Sequence, residues 1–136
     1  MPRARDELFA NLNLRASATA ETIAESEKLL KVKLPLEYVA FLKTANGGEG
    51  FIGKRAYIIL WGVEELAYLN QAYEVQDYVP GLLLFGSDGG GEAYGFDTRT
   101  PPWQTVEVPF VGMAWELARP RGATFSAFLE RLHEVG

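Results

Sequence analysis

At 136 residues and 15.1 kDa, 48% apolar and 23% charged, the chain has the size of one domain and buries about two thirds of its unfolded surface, which excludes a disordered polymer. The net charge of −5 and pI near 4.9 argue against a nucleic-acid binder built on phosphate contacts. With no cysteine and one histidine, disulfides, thiolate zinc sites and cysteine nucleophiles are excluded, and any metal site would be mostly carboxylate. No run approaches the ~18–20 apolar residues of a membrane span, and the basic start Met1-Pro2-Arg3-Ala4-Arg5 turns acidic at Asp6-Glu7 with no apolar stretch after it. A soluble cytoplasmic protein is expected. No linker or repeat divides residues 1–136, so one domain is expected.

The first helix is expected to open at Thr19, whose hydroxyl can cap free backbone N–H groups, with Glu21 and Glu25 near its positive end. Ile23, Glu27 and Leu30 then share a face. Leu34-Pro35 ends that helix, because the residue before proline disfavours the helical region, and Pro35 suits the start of a second helix. Tyr38, Phe41, Leu42 and Ala45 form its apolar stripe, and Asn46-Gly47-Gly48 ends it with a residue at positive φ.

Tyr57 to Trp61 is apolar on both faces and reads as an interior strand. Val63 to Tyr73 reads as a helix, and Pro80-Gly81 breaks the chain. Leu82 to Phe85 is a short buried strand. Gly86 to Gly91 is a turn, and Glu92 to Asp97 returns as a strand. Pro101-Pro102 turns the chain again. Thr105 to Phe110 alternates, with Val106, Val108 and Phe110 on one side and Thr105 and Glu107 on the other, and Pro109 marks an edge or a strand end. Ala114 to Ala118 reads as a last strand. Thr124 caps a final helix with Phe125, Phe128, Leu129 and Leu132 at helical spacing. Helices, then a mostly antiparallel meander, then a helix make an α+β fold.

Charge is unevenly spread. Between Ala56 and Thr98 stand seven acids, Glu64, Glu65, Glu74, Asp77, Asp88, Glu92 and Asp97, and no Lys or Arg. Such a stretch is either a solvated surface that keeps the protein soluble or an acidic face for a basic partner. The helix and following loop expose Glu64, Glu65, Glu74 and Asp77 most readily; Asp88 and Glu92 at the hairpin come next. Asp97 instead suits the turn at Thr98.

Other motifs carry less chemistry. The glycine run lacks the Gly-Lys-Ser/Thr of a phosphate loop. Tyr94 stands where a dinucleotide fingerprint needs glycine, and a strand follows rather than a helix. A hairpin with no bound phosphate is expected. Asp88 and Glu92 lack calcium-loop spacing. Ser87 is outside any nucleophile elbow, and His133 sits in a last helical turn, where it suits the dipole better than catalysis. Glu64 and Glu65 point about 100° apart on a helix and are no ready acid–base pair. Trp103, after the two prolines, fits either a binding anchor or packing over a sheet edge.

Taken together, these segments resemble the SUKH superfamily, the Smi/Knr-type domain. The pattern starts with Ile23-x-x-x-Glu27-x-x-Leu30, Leu34-Pro35-x-x-Tyr38-x-x-Phe41-Leu42 and Asn46-Gly47-Gly48, then a strand ending in Trp61. It continues with Gly86 through Asp97, Val106-x-Val108 and Thr124-Phe125-x-x-Phe128-Leu129. It runs from about Thr19 to Leu132, with residues 1–15 an extension outside it. The resemblance implies an α+β sheet packed by two N-terminal helices and one C-terminal helix. It implies a non-enzymatic, cofactor-free binding module without catalytic residues. Bacterial members are immunity proteins that neutralise toxins by direct binding; fungal relatives regulate cell-wall assembly through partners. The expected partner is a basic toxin domain, met by an acidic face drawn from Glu64, Glu65, Glu74, Asp77, Asp88 and Glu92. A small-ligand binder or a carboxylate enzyme is the alternative.

Overall fold

The computed structural model describes residues 5–135. A short helix α1 (Arg5–Leu8) and strand β1 (Leu12–Leu14) precede the two expected helices, α2 (Ala20–Leu30) and α3 (Leu36–Leu42). Strands β2 (Gly48–Ile52) and β3 (Ala56–Leu60) follow, then a 3-10 turn at Val63–Glu65, α4 (Leu66–Ala72) and α5 (Val75–Tyr78). Next come β4 (Leu82–Ser87), β5 (Glu92–Asp97), β6 (Gln104–Pro109), a 3-10 turn at Trp115–Leu117, β7 (Arg119–Gly122) and α6 (Phe125–Val135). The seven strands form one antiparallel sheet whose spatial order repeats the chain order. The α+β reading therefore holds.

The helix ends follow their chemistry. Thr19 Oγ1 accepts from the Thr22 N–H at 3.1 Å and so caps α2. That helix closes on Lys31 at φ 61°, and the Glu27 carboxylate reaches forward to accept from the Leu34 N–H at 2.7 Å. Pro35, extended at ψ 140°, stands just before α3. Tyr38, Phe41, Leu42 and Ala45 are all buried. Thr124 accepts from the Ala127 N–H at 3.0 Å, and Glu37 of α3 accepts from the Ser126 N–H at 2.7 Å, so both cap α6.

Two expectations are corrected, and two strands are new. The helix at Tyr38 ends at Leu42, before Asn46-Gly47-Gly48, although Gly47 does have positive φ, 84°. Residues 114–118 are not a strand: Trp115–Leu117 is a 3-10 turn, and the last strand is the Arg-Pro-Arg-Gly segment β7. Strands β1 and β2 went unpredicted. Strand β2 is glycine-rich for a reason: a Cβ at Gly48 or Gly50 would stand 2.4 Å from the Asn13 or Asn11 carbonyl oxygen. Those glycines let β1 pack its backbone directly against β2.

Helix α6 lies across the sheet and touches β2, β3, β6 and β7. Under it Phe125 and Phe128 interlock with Tyr38, Phe85, Tyr94 and Phe96, with ring centroids 4.6–6.4 Å apart. Burial pushes the Tyr38 hydroxyl well above its usual range, and it takes no hydrogen bond among the described residues. Trp103 is partly buried, 6.0 Å from Phe96, which favours packing over an anchor. His133 falls in the last turn of α6, half-buried.

Pairing between β3 and β4 is short, two residue pairs, Ile59 with Ser87 and Leu60 with Gly86. Beyond them β3 departs and the β4 edge would be bare. Side chains fill in. Asn70 of α4 accepts from the Leu84 N–H at 2.8 Å and donates to the Leu84 carbonyl at 2.9 Å, as a strand residue would. Gln76 of α5 donates to the Leu82 carbonyl at 2.7 Å and accepts from the Gly81 N–H at 3.0 Å.

Candidate functional site

The six acids expected to face a partner fall into three groups with different surroundings. Glu64 and Glu65 belong to the 3-10 turn after Gly62 and are held by the fold. Asn46, buried, accepts from the Val63 N–H at 2.8 Å and donates to Glu64 Oε1 at 2.8 Å. Glu65 Oε1 accepts from the Gly62 N–H and from Arg15 Nη1, both at 2.8 Å. Ser26 of α2 donates to the Val63 carbonyl at 2.7 Å. The Arg15–Glu65 pair is half-exposed, so it adds about 1 kcal/mol at most. These acids organise a corner joining α2, the Asn46 loop and the exit of β1.

Asp88 and Glu92 stand at the β4–β5 hairpin. Asp88 Oδ1 accepts from the Gly90 N–H at 2.7 Å and the Glu92 N–H at 3.1 Å, which sets the turn. The Glu92 carboxyl lies against Glu107 of β6. Burial, with the like charge of Glu107, raises its pKa against the opposing pull of Arg119. Its Oε1 is buried and takes no hydrogen bond from the described groups. Glu107 accepts from Arg121 Nε at 3.0 Å, with Arg119 at 4.0 Å.

Glu74 and Asp77 are different. Both are exposed, and neither carboxylate has a hydrogen bond or ion pair among the described residues. Glu74 sits between α4 and α5 in the left-handed region, φ 55°. The Asp77 N–H donates to the Glu74 carbonyl at 3.1 Å, so both acids occupy one helical turn. They border a groove of about 510 Å³ between the end of α2 and the α4–α5 pair. Its apolar lining includes Leu29, Leu30, Val32, Ala67 and Leu83. Leu29 is 72% exposed. From α4 the lining takes Ala67, Asn70 and Gln71, and Glu74 follows, one stripe at i, i+3, i+4, i+7 spacing.

Asp97, set aside for the turn, does serve it. Arg99 donates to both Asp97 oxygens at 3.0 and 2.9 Å and holds that carboxyl below its ordinary pKa. The same guanidinium lies 3.6 Å from the centre of the Trp115 ring, whose Nε1 donates to the Pro80 carbonyl at 2.8 Å. Arg99, next in sequence to the groove's Thr98 wall, is thereby held on Asp97 and Trp115.

Asn70, Gln76, Glu107 and Leu29 were not singled out from the sequence. Only Leu29 left a signal there, as a second leucine beside the core-facing Leu30 at a helix end. The described helices include none long and apolar enough to cross a membrane. The model of the SMI1 / KNR4 family (SUKH-1) matches residues 17–131. No curated protein matches the chain.

Proposed function

The chain belongs to the SMI1 / KNR4 family (SUKH-1), and on that premise we propose that it works by binding another protein, as an immunity protein that neutralises a basic toxin domain. The observation that carries this is the stretch of seven acids without a base between Ala56 and Thr98, of which Glu74 and Asp77 are exposed with no partner among the described residues. Free carboxylates on one surface add their fields and speed the approach of a cationic partner, and salt weakens that steering as the Debye length shrinks from about 10 Å at 0.1 M to about 3 Å at 1 M. A nuclease domain, which needs positive surface to hold phosphates, is a fitting target. Family membership supports a non-enzymatic role, and the cytoplasm, where such a toxin would act on its producer, is the proposed location.

The test is to read the gene directly upstream for a secreted protein that ends in a toxin domain and to co-express the two; an upstream gene that encodes no such protein counts against the reading. Protection of the cells, with an association rate that falls as salt rises, is the expected outcome. A wild-type protein that neither protects nor binds overturns this reading. The alternative, a small-ligand binder or carboxylate enzyme, has the groove volume in its favour, since small-molecule sites run to ~300–1,000 Å³. Against it, Glu92, the carboxyl with the raised pKa, is not on the groove's lining.

A further inference from the structure

We propose that the partner docks in the groove between α2 and the α4–α5 pair, and that the docking segment presents an apolar side chain flanked by Lys or Arg. This rests on the protein-binding reading above and narrows it from six acids to two. Of the six, Glu64 and Glu65 hold the corner at Asn46 and Arg15, Asp88 sets its own turn, and Glu92 is engaged with Glu107. Recruiting Glu64, Glu65 or Asp88 would break a bond the fold already uses, and the Glu92 carboxyl is half-buried against Glu107 rather than free in solvent. Glu74 and Asp77 would break none.

The groove matches those two acids with apolar surface. Leu29 leaves a large side chain in water at the mouth, beside the half-buried Leu30 and Val32. Covering them recovers hydrophobic free energy in proportion to the apolar area taken out of water. The floor is already satisfied, since Asn70 and Gln76 occupy the free edge of β4. An incoming strand therefore finds no open backbone groups there. Recognition falls to side chains: an apolar one seated against Leu29, Leu30 and Ala67, and a cation over Glu74 and Asp77. Lys31 and Lys33 bracket Val32 on the α2 side, so the acidic charge is confined to the α4–α5 wall. That asymmetry fixes the direction in which a segment lies.

The experiment uses the full chain and two probes. The first is an amphipathic Lys–Leu peptide, with its Glu–Leu counterpart as control, titrated into isotope-labelled protein. Amide shift changes should concentrate at residues 29–32, 67–71 and 74–77 with the Lys–Leu peptide alone. The variant Glu74→Lys/Asp77→Lys and, separately, Leu29→Asp should each weaken that peptide about tenfold or more. Glu21→Lys/Glu25→Lys makes the same change in net charge on exposed positions of α2 and should weaken it less than about threefold. Equal loss in both charge variants, or shifts centred on Asp88–Glu92, overturns the groove and leaves only overall charge. All these positions are exposed, so matching melting curves confirm that folding is unchanged.

The second probe is the toxin domain that the upstream gene is proposed to encode. If it binds wild type and Glu74→Lys/Asp77→Lys alike, the groove fails while the protein-binding reading stands. If it binds neither but the Lys–Leu peptide still maps to the groove, the site stands and the toxin reading fails.

Discussion

Under α6 the sheet is covered by rings: Phe125 and Phe128 interlock with Tyr38, Phe85, Tyr94 and Phe96, and of these only Tyr94 carries a neighbouring charge cluster. Along the β4 edge that β3 leaves, the cover is made of amides. Asn70 and Gln76 satisfy the backbone, two short helices pass over them, and a groove with an exposed leucine remains. One region buries apolar area without residue; the other satisfies polar groups and leaves apolar area unspent. The difference teaches where this molecule can tolerate change. Ring packing resists any loss of volume, whereas an amide-capped edge depends on two side chains and leaves its outer surface free to vary.

The largest expected effect breaks the ring side. Phe85→Ala, at a fully buried position, should cost about 3–5 kcal/mol in urea unfolding. A loss below ~1 kcal/mol would mean the rings are loosely packed and the contrast is false. Next comes the amide side. Asn70→Leu keeps a similar volume but leaves the buried Leu84 N–H and carbonyl unpaired, and should cost about 2–4 kcal/mol. Hydrogen exchange at the Leu84 amide should rise with it. If stability is unchanged, the amides are decoration rather than cover.

The smallest effect concerns the polar rim beside Tyr94. The pKa of Glu92 is raised in the folded protein, so its neutral form is the one the fold favours. Stability from this group is present below the ordinary carboxylate range and is lost as pH rises through the folded pKa. Glu92→Gln, permanently neutral, should melt closer to wild type at pH ~4 and above it at pH ~7. Glu107, Asp88, Arg119 and Tyr94 face the same group. Melting curves that run parallel across that range would place Glu92 in water.

Local chemistry made much of this fold readable. Thr19, Leu34-Pro35 and Thr124 act within one turn of their own position, and the Glu92–Asp97 strand announced both its ends. Strand β2 was hidden because glycine-rich backbone signals a turn unless the strand that needs its missing Cβ atoms is known, and β1, three residues long, is too short to show an alternation. The 3-10 turn at Trp115 was mistaken for a strand because short apolar runs suit either. The acids could be counted but not sorted. Glu65 is tied down by Arg15, fifty positions away, and Glu64 by Asn46, eighteen away. Freedom of Glu74 and Asp77 is a property of what the fold fails to place beside them, which no spacing rule records.

The sheet's spatial order repeats the order of synthesis, so each strand from β2 onward can join its predecessor as it leaves the ribosome. Short-range pairing of this kind favours quick assembly. Yet Phe85, Tyr94 and Phe96 wait for α6, the last of the described elements to be made. Until then the nascent chain carries a nearly finished sheet whose rings, met by Tyr38 of α3, are open to other chains on the side α6 will cover. The hazard of aggregation is concentrated in that interval. A ribosome that stopped after β7 would release a well-paired sheet without its lid, a substrate for chaperones and proteases rather than a weaker version of the native protein.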